Sequence, residues 1–107
     1  MTAWIGRRST PTIRASIRAV LVRTVRAQGL SREVGSRRIT INTIQPGPID
    51  TELNPAAGDW AEPQIANTAL KRYGSVEDIA AMVAFVAGPE AGYITGANLT
   101  VDGGTNA

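Results

Sequence analysis

The stretch Ile39-Thr40-Ile41-Asn42-Thr43-Ile44-Gln45-Pro46-Gly47-Pro48-Ile49-Asp50-Thr51 decides how this chain is read. Its first six residues are rich in β-branched side chains and alternate apolar with polar, which is the pattern of a strand. Pro46-Gly47-Pro48 then stops it, because proline lacks the N–H that strand pairing needs. Residues 45–61 also hold Pro55 and Gly58 and read as a long loop. Pro63 suits the first turn of a short helix reaching about Tyr73. Ser75-Val76-Glu77-Asp78 opens a stronger helix: Ser75 is a good cap, and Asp78 three residues on is close to the capping-box pattern. Its apolar stripe is Ile79, Met82, Val83 and Val86, and Gly88-Pro89 ends it. Ala97–Val101 reads as a second strand, with Asp102-Gly103-Gly104 turning out of it. Strand, helical crossover and strand predict a right-handed parallel βαβ unit. The long loop then falls at the carboxyl end of the first strand, where open α/β sheets bind ligands.

Upstream of Ile39 the pattern weakens. Residues 1–12 hold Gly6, Ser9, Thr10 and Pro11 without periodicity and read as irregular. From Thr12, residues Ile13, Ile17, Val20 and Leu21 recur at helical spacing, with Thr12 as a candidate cap. The polar face is poorly separated, since Ala19 and Val22 lie off the stripe and Arg14 borders it. Gly29 interrupts the pattern, Leu30–Val34 continues it, and Gly35 is a candidate stop. No strand is expected before Ile39, which leaves one edge of that strand without a partner from this chain and open to association. Two strands and three helices also make a marginal core.

A chain of 107 residues allows one domain with a modest core. An apolar fraction of 43% and a charged fraction of 19% place it among globular chains. No apolar run approaches the roughly 20 residues of a membrane-spanning helix, and no secretory pattern follows Arg7-Arg8. The expectation is a cytoplasmic chain with no membrane partner. Without cysteine there is no disulfide or thiolate metal site, and without histidine Ser-His-Asp chemistry is excluded. The net charge of +2 conceals a division: nine arginines and Glu33 give residues 1–38 a charge of +8, whereas Lys71, Arg72 and eight acids give residues 39–107 a charge of −6.

ITINTIQPGPIDT resembles the strand and loop that short-chain dehydrogenases/reductases carry as Asn-x-Ile/Val-x-Pro-Gly-x-Ile/Val-x-Thr. Here the pattern falls on Asn42, Ile44, Pro46, Gly47, Ile49 and Thr51, with every position filled. The terminus RYGSVEDIAAMVAFVAGPEAGYITGANLTVDGG is similar to the same family's last helix and strand, through Gly74, Glu77-Asp78-Ile79-Ala80, Phe85, Thr95-Gly96 and Val101-Asp102-Gly103-Gly104. GLSREVGSRR (residues 29–38) resembles the end of the preceding family helix. The resemblance divides the chain into an unmatched Arg-rich segment, 1–27, and the C-terminal part of a Rossmann-like domain, 28–107. It implies an α/β fold: a partial doubly wound parallel sheet made of the last two strands with their helices.

For the intact family member the resemblance implies NADP- or NAD-linked hydride transfer between a carbonyl and an alcohol. It makes Pro46, Gly47, Ile49 and Thr51 the cofactor-binding residues. Gly47 lets backbone approach a flat ring. A nicotinamide carboxamide needs one donor and one acceptor; the resemblance gives that role to the Ile49 backbone, and gives the Thr51 hydroxyl a contact with the carboxamide or pyrophosphate. On the residues alone, Pro-Gly-Pro is a loop and Thr51 a helix cap. Glu52 to Arg72 corresponds to the substrate-covering loop, where Asn54, Trp60 and Ile65 are candidates to shape the pocket and packing is the ordinary role of Trp60 and Ile65. The family's last helix and strand also help form subunit contacts, so a homo- or hetero-oligomer is expected.

Two family hallmarks are absent. The proton-delivering tyrosine and the lysine four residues later would fall, by the family spacing, on Ser16 and Val20. Tyr73, Tyr93 and Lys71 lie in other segments. No glycine-rich phosphate loop occurs either. The expectation for the chain as given is no catalytic residue, no turnover, and weak or no dinucleotide binding. An out-of-frame or misplaced start is one account of residues 1–27. A genuine basic segment is the other, with a nucleic-acid-binding or protein-interaction module as the alternative function. Against nucleic acid, Trp4 is the only aromatic there to stack on a base.

Overall fold

The computed structural model describes residues 2–5, 18–20 and 24–107, with side chains from residue 27 onward. The elements in order are β1 (Thr2–Ile5), β2 (Arg18–Val20), α1 (Thr24–Val34), β3 (Thr40–Pro46), α2 (Ala61–Asn67), α3 (Val76–Ala87) and β4 (Asn98–Val101). Short 3₁₀ turns follow α1 and α3. The sheet order is β2-β1-β3-β4. The chain forms two compact units, residues 1–44 with 83–99, and residues 45–82 with 100–107.

In the first unit, β3 is buried from Ile41 to Ile44, with no more than 5% of any residue exposed. Burial of four successive residues means that both faces of the strand are covered, as in parallel sheets. Asn42 and Thr43 are therefore core residues, although the alternation in the sequence suggested one polar face. The Asn42 amide belongs there because it is satisfied: Nδ2 donates to the Ile94 carbonyl at 3.0 Å, and Oδ1 accepts the Ala97 N–H at 3.0 Å. The β3–β4 pairing is parallel, as expected. Gly96 N–H donates to the Ile41 carbonyl and Thr43 N–H to the Ala97 carbonyl, so both segments advance in the same direction. Thr95 Oγ1 accepts the Ile41 N–H at 3.1 Å, which gives the Thr95-Gly96 pair its place. Gly96 has φ +69°, and a Cβ there would lie 2.9 Å from Ser31 Oγ on α1. Only glycine suits both the left-handed backbone and that approach.

Two expectations for the N-terminal region are corrected. Thr2–Ile5 is a strand, antiparallel to β3 with Thr2 opposite Thr43 and Ile5 opposite Thr40, so the edge of β3 does have a partner in this chain. Arg18–Val20 is a strand antiparallel to β1, with Val20 opposite Thr2. The physical reason is tertiary: an unpaired sheet edge offers a row of hydrogen-bonding groups that outweighs weak local periodicity. Accordingly α1 begins at Thr24 rather than Thr12 and ends at Val34, just before Gly35. The other residues of the expected helix, 12–17 and 21–23, lie outside the described residues, as do Arg7, Arg8, Arg14, Ser16 and Arg23.

In the second unit α2 is shorter than expected, ending at Asn67 rather than near Tyr73. Thr68 leaves the helix with φ −84° and ψ 144°, and Lys71 takes φ +55° while its Nζ donates to the Ala66 carbonyl at 2.7 Å. Pro63 sits in the first turn, where its missing N–H has no helical partner to lose. The start of α3 is the reciprocal cap expected from Ser75 and Asp78. Asp78 N–H donates to Ser75 Oγ at 3.2 Å, and Ser75 N–H donates to Asp78 Oδ2 at 2.9 Å.

Candidate functional site

The site is built on the carboxyl end of β3, within the second unit. Gly47 N–H donates to the Val101 carbonyl at 3.0 Å, continuing the parallel ladder one step past Pro46. A Cβ on Gly47 would stand 2.6 Å from Asp102 Cα and 2.7 Å from its Cβ and carbonyl oxygen. Glycine is required here by space, with backbone against backbone. The two flanking prolines restrict the exit from the strand.

Two residues further on, Ile49 forms an isolated parallel bridge with Gly74. The bonds of that bridge belong to the neighbours of Ile49: Gly74 N–H donates to the Pro48 carbonyl, and Asp50 N–H donates to the Gly74 carbonyl, each at 2.9 Å. In parallel pairing the central residue directs its own N–H and C=O to the opposite side. Among the described residues neither group of Ile49 has a hydrogen-bond partner. The loop therefore presents one donor and one acceptor on one residue, on either side of its Cα. The Ile49 side chain lies over Gly74, where a Cβ would come within 2.7 Å of Cδ1.

Thr51 closes a tight turn with Asn54. Asn54 N–H donates to the Thr51 carbonyl and to Thr51 Oγ1, each at 3.2 Å. Thr51 thus stabilises a turn of the loop rather than capping an α-helix. Its hydroxyl accepts one bond and, among the described residues, donates none. Asp50 Oδ1 accepts the Ala56 N–H at 2.8 Å and draws in the next part of the loop.

The floor is held by the turn after β4. Leu70 N–H donates to the Gly103 carbonyl at 3.0 Å, while Gly103 and Gly104 take φ of +63° and +82°. Asp102 organises this turn. Its Oδ1 accepts the Gly104 N–H at 2.8 Å, and Oδ2 accepts the Asn106 N–H and Nδ2 at 3.1 and 2.9 Å. The Gly104 N–H, followed by the Asn106 groups, holds the Asp102 carboxyl below its ordinary value of 3.8. The Ser75 N–H, and after it the Arg72 guanidinium at 3.4 Å, do the same for Asp78. A cavity of about 190 Å³ lies beside the loop, lined by Ile49, Leu70, Arg72, Asp78 and Asp102 among others.

The structure thus brings Gly47 and Ile49 into one framework with Gly74 and Asp102, and ties Thr51 to Asn54. Pro46 is exposed at the strand end. Of the pocket candidates, Asn54 is half-buried in a hydrogen-bond network, Ile65 lines a second cavity of about 390 Å³, and Trp60 is 79% exposed rather than packed. Two contributors carry no motif in the sequence. Tyr73, 7% exposed, donates its hydroxyl to Asn54 Oδ1 at 3.1 Å, and Gln64 pairs its amide with that of Asn54. Asp102 has a local signal, since Asp-Gly-Gly is a turn former in which a carboxylate bonds to N–H groups two residues on. Among the described residues no cluster of three or more His, Cys, Asp or Glu is placed to hold a metal, and no helix is long and apolar enough to cross a membrane.

Comparison with known proteins gives this geometry its context. The family profile described as enoyl-(acyl carrier protein) reductase matches residues 6–106. The cyclic-di-GMP-binding biofilm dispersal mediator protein of Escherichia coli is 53% identical over 77 residues, 72% of this chain and 32% of that protein. The 3-oxoacyl-(acyl-carrier-protein) reductase FabG of Vibrio cholerae is 44% identical over 78 residues, again 72% of this chain and 32% of the relative. Among solved structures, a blue fluorescent protein from a metagenomic library in complex with NADPH superposes with a TM-score of 0.77 at 51% identity, covering 78% of this chain and 34% of that one. A short-chain dehydrogenase/reductase from Serratia marcescens gives the same TM-score, identity and coverage. The chain spans about a third of the length of the relatives it matches. With an α/β fold, a parallel strand pair and the loop described above, the chain belongs to the short-chain dehydrogenase/reductase family.

Proposed function

We propose that residues 46–51 form the nicotinamide side of an NADP(H)- or NAD(H)-binding site, in a protein whose reaction is hydride transfer between a carbonyl and an alcohol. The observation that carries this is the N–H and C=O of Ile49, unpaired among the described residues and directed away from Gly74. A carboxamide offers the complementary acceptor and donor, and two such bonds fix which face of a nicotinamide ring is presented. The Thr51 hydroxyl, already an acceptor for the Asn54 N–H, has its proton left to donate to a carbonyl or phosphate oxygen. Pro46 and Pro48 hold the loop in shape, and Gly47 lets it lie against Asp102. The cofactor, when bound, supplies or accepts the hydride; the residues named here bind and orient it. NADPH or NADP in solved relatives supports a nicotinamide nucleotide as the ligand.

The same residues set the limits of the chain's own chemistry. The positions where the family carries its tyrosine and lysine hold Ser16 and Val20 here. Neither can deliver a proton with a neighbouring ammonium to lower its pKa. The expected behaviour is weak nucleotide binding, with Kd on the order of 1 mM, and no turnover of simple ketones. Titration of the ¹⁵N-labelled chain with NADP⁺, NAD⁺ and nicotinamide mononucleotide tests this. Amide shifts centred on Ile49, Asp50 and Thr51 are expected with all three. Shifts absent from those residues, or confined to the Arg-rich residues 1–38, would overturn the assignment.

A further inference from the structure

Asn54 has more of its hydrogen-bonding capacity committed than any motif in the sequence requires. Its Oδ1 accepts both the Tyr73 hydroxyl at 3.1 Å and Gln64 Nε2 at 3.1 Å, while its Nδ2 donates to Gln64 Oε1 at 3.0 Å. Both acceptor sites of the amide oxygen are used. The anchors are firm. Tyr73 is 7% exposed, and Gln64 is fixed in turn by donating to the Trp60 carbonyl at 3.1 Å. On the main-chain side, Asn54 N–H reaches both oxygens of Thr51, and the Asn54 carbonyl accepts the Thr51 N–H at 3.4 Å.

These two sets of bonds share one residue. The side chain fixes where Asn54 stands relative to α2 and Tyr73, and its N–H then fixes the Thr51 hydroxyl. We infer that Asn54, clamped by Tyr73 and Gln64, is a positioning residue that holds the Thr51 side chain in one rotamer with its hydroxyl proton free to donate. This gives the loop a defined set of groups: a donor and an acceptor at Ile49, and a hydroxyl proton at Thr51 whose oxygen already accepts the Asn54 N–H. Such a set suits a carboxamide beside an anionic or carbonyl oxygen. The functional consequence rests on the cofactor reading of residues 46–51, whereas the rotamer control does not.

The test uses the full chain and the variants Tyr73→Phe, Asn54→Ala, Asn54→Asp and Thr51→Ala. Tyr73→Phe keeps the ring and deletes one bond. Scalar couplings across the Thr51 Cα–Cβ bond report its rotamer, and hydrogen exchange reports the Asn54 amide. Tyr73→Phe is expected to average the Thr51 couplings and speed Asn54 exchange about fivefold, the equivalent of one ordinary hydrogen bond. Asn54→Ala should do so more strongly. Asn54→Asp, which keeps an acceptor for Tyr73 and Gln64, should restore most of the rotamer order that Asn54→Ala loses. Unchanged Thr51 couplings in both Tyr73→Phe and Asn54→Ala would overturn the inference.

NADP⁺ titration separates the two readings. If Thr51→Ala weakens binding and Tyr73→Phe adds no further loss in its presence, positioning through Thr51 is supported. An equal loss from Tyr73→Phe with and without Thr51 would show that Tyr73 acts by another route, and would overturn positioning. If Thr51→Ala leaves binding unchanged, the cofactor role of Thr51 fails, and the couplings alone decide whether Asn54 controls its rotamer.

Discussion

Replacing Gly47 by alanine tests the close approach on which the loop depends. Gly47 does not have a positive φ, so the expected cost arises from contact rather than backbone strain. The added Cβ would lie 2.6–2.7 Å from Asp102 Cα, Cβ and O, where ordinary contact begins at 3.4 Å. Two of those atoms are backbone, in a turn tied down by five bonds to Asp102 Oδ1, Oδ2 and O, so no flexible tip can swing aside. Relieving the overlap requires a shift of about 0.8 Å, in the range where overpacking costs about 1–3 kcal/mol. The same shift stretches the 3.0 Å bond from Gly47 N–H to the Val101 carbonyl, which adds about 1 kcal/mol. A total of about 2–4 kcal/mol lowers Tm by about 10–30 °C in a domain of this size.

The assay is thermal unfolding followed by circular dichroism, with Gly47 amide exchange as a local readout. Gly29→Ala is the internal control. Gly29 lies within α1, where an added Cβ would meet nothing within 4 Å, so alanine there is expected to stabilise by about 0.5–1 kcal/mol. Opposite signs for the same chemical change would establish that the cost at Gly47 is contact with Asp102. If Gly47→Ala melts within about 3 °C of the parent and keeps its amide protected, the packing of the loop against Asp102 is refuted.

Asp78 and Asp102 predict the acid side of the stability curve. Hydrogen bonds hold both folded-state pKa values below the unfolded value of 3.8, so their contribution is complete above 3.8 and is lost as pH falls through the folded values. Urea midpoints measured from pH 6 to pH 2 should fall in that window, and Asp78→Asn or Asp102→Asn should flatten the fall; an unchanged pH profile in both variants would refute it. Asn42→Ala strands the Ile94 carbonyl and the Ala97 N–H beside a residue 1% exposed, and is expected to cost about 2–4 kcal/mol in chemical denaturation. A loss below about 0.5 kcal/mol would mean that water replaces the amide.

Both ends of α3 were legible from local chemistry. Ser75 and Asp78 announce the start of α3 because a cap is made by residues three apart. Gly88-Pro89 announces its end because proline cannot donate into a helix. Gly47 and Ile49 were recognisable as loop residues at the carboxyl end of a strand, but not the reason that glycine is needed. That reason is the backbone of Asp102, which is 55 positions away in the chain. In the N-terminal region local pattern and structure part, because the structure there depends on distant partners. Val20 fits a weak helical stripe, yet it pairs opposite Thr2 in a strand.

By itself, then, the sequence determined a strand through Thr40–Ile44, the turn chemistry of Pro46-Gly47-Pro48, the cap of α3, and the family. All of these are carried by neighbouring residues whose preferences act within a few positions of the chain. Tertiary structure alone decided that Asn42 is buried and satisfied, that Thr2–Ile5 completes the edge of β3, and that Ile49, bonding Gly74 through its neighbours, keeps its own N–H and C=O unpaired among the described residues. It also decided that Asn54 joins Tyr73 and Gln64 to Thr51. Each of these depends on hydrogen-bond partners brought together by folding, and no local propensity encodes which distant group will satisfy a backbone or amide.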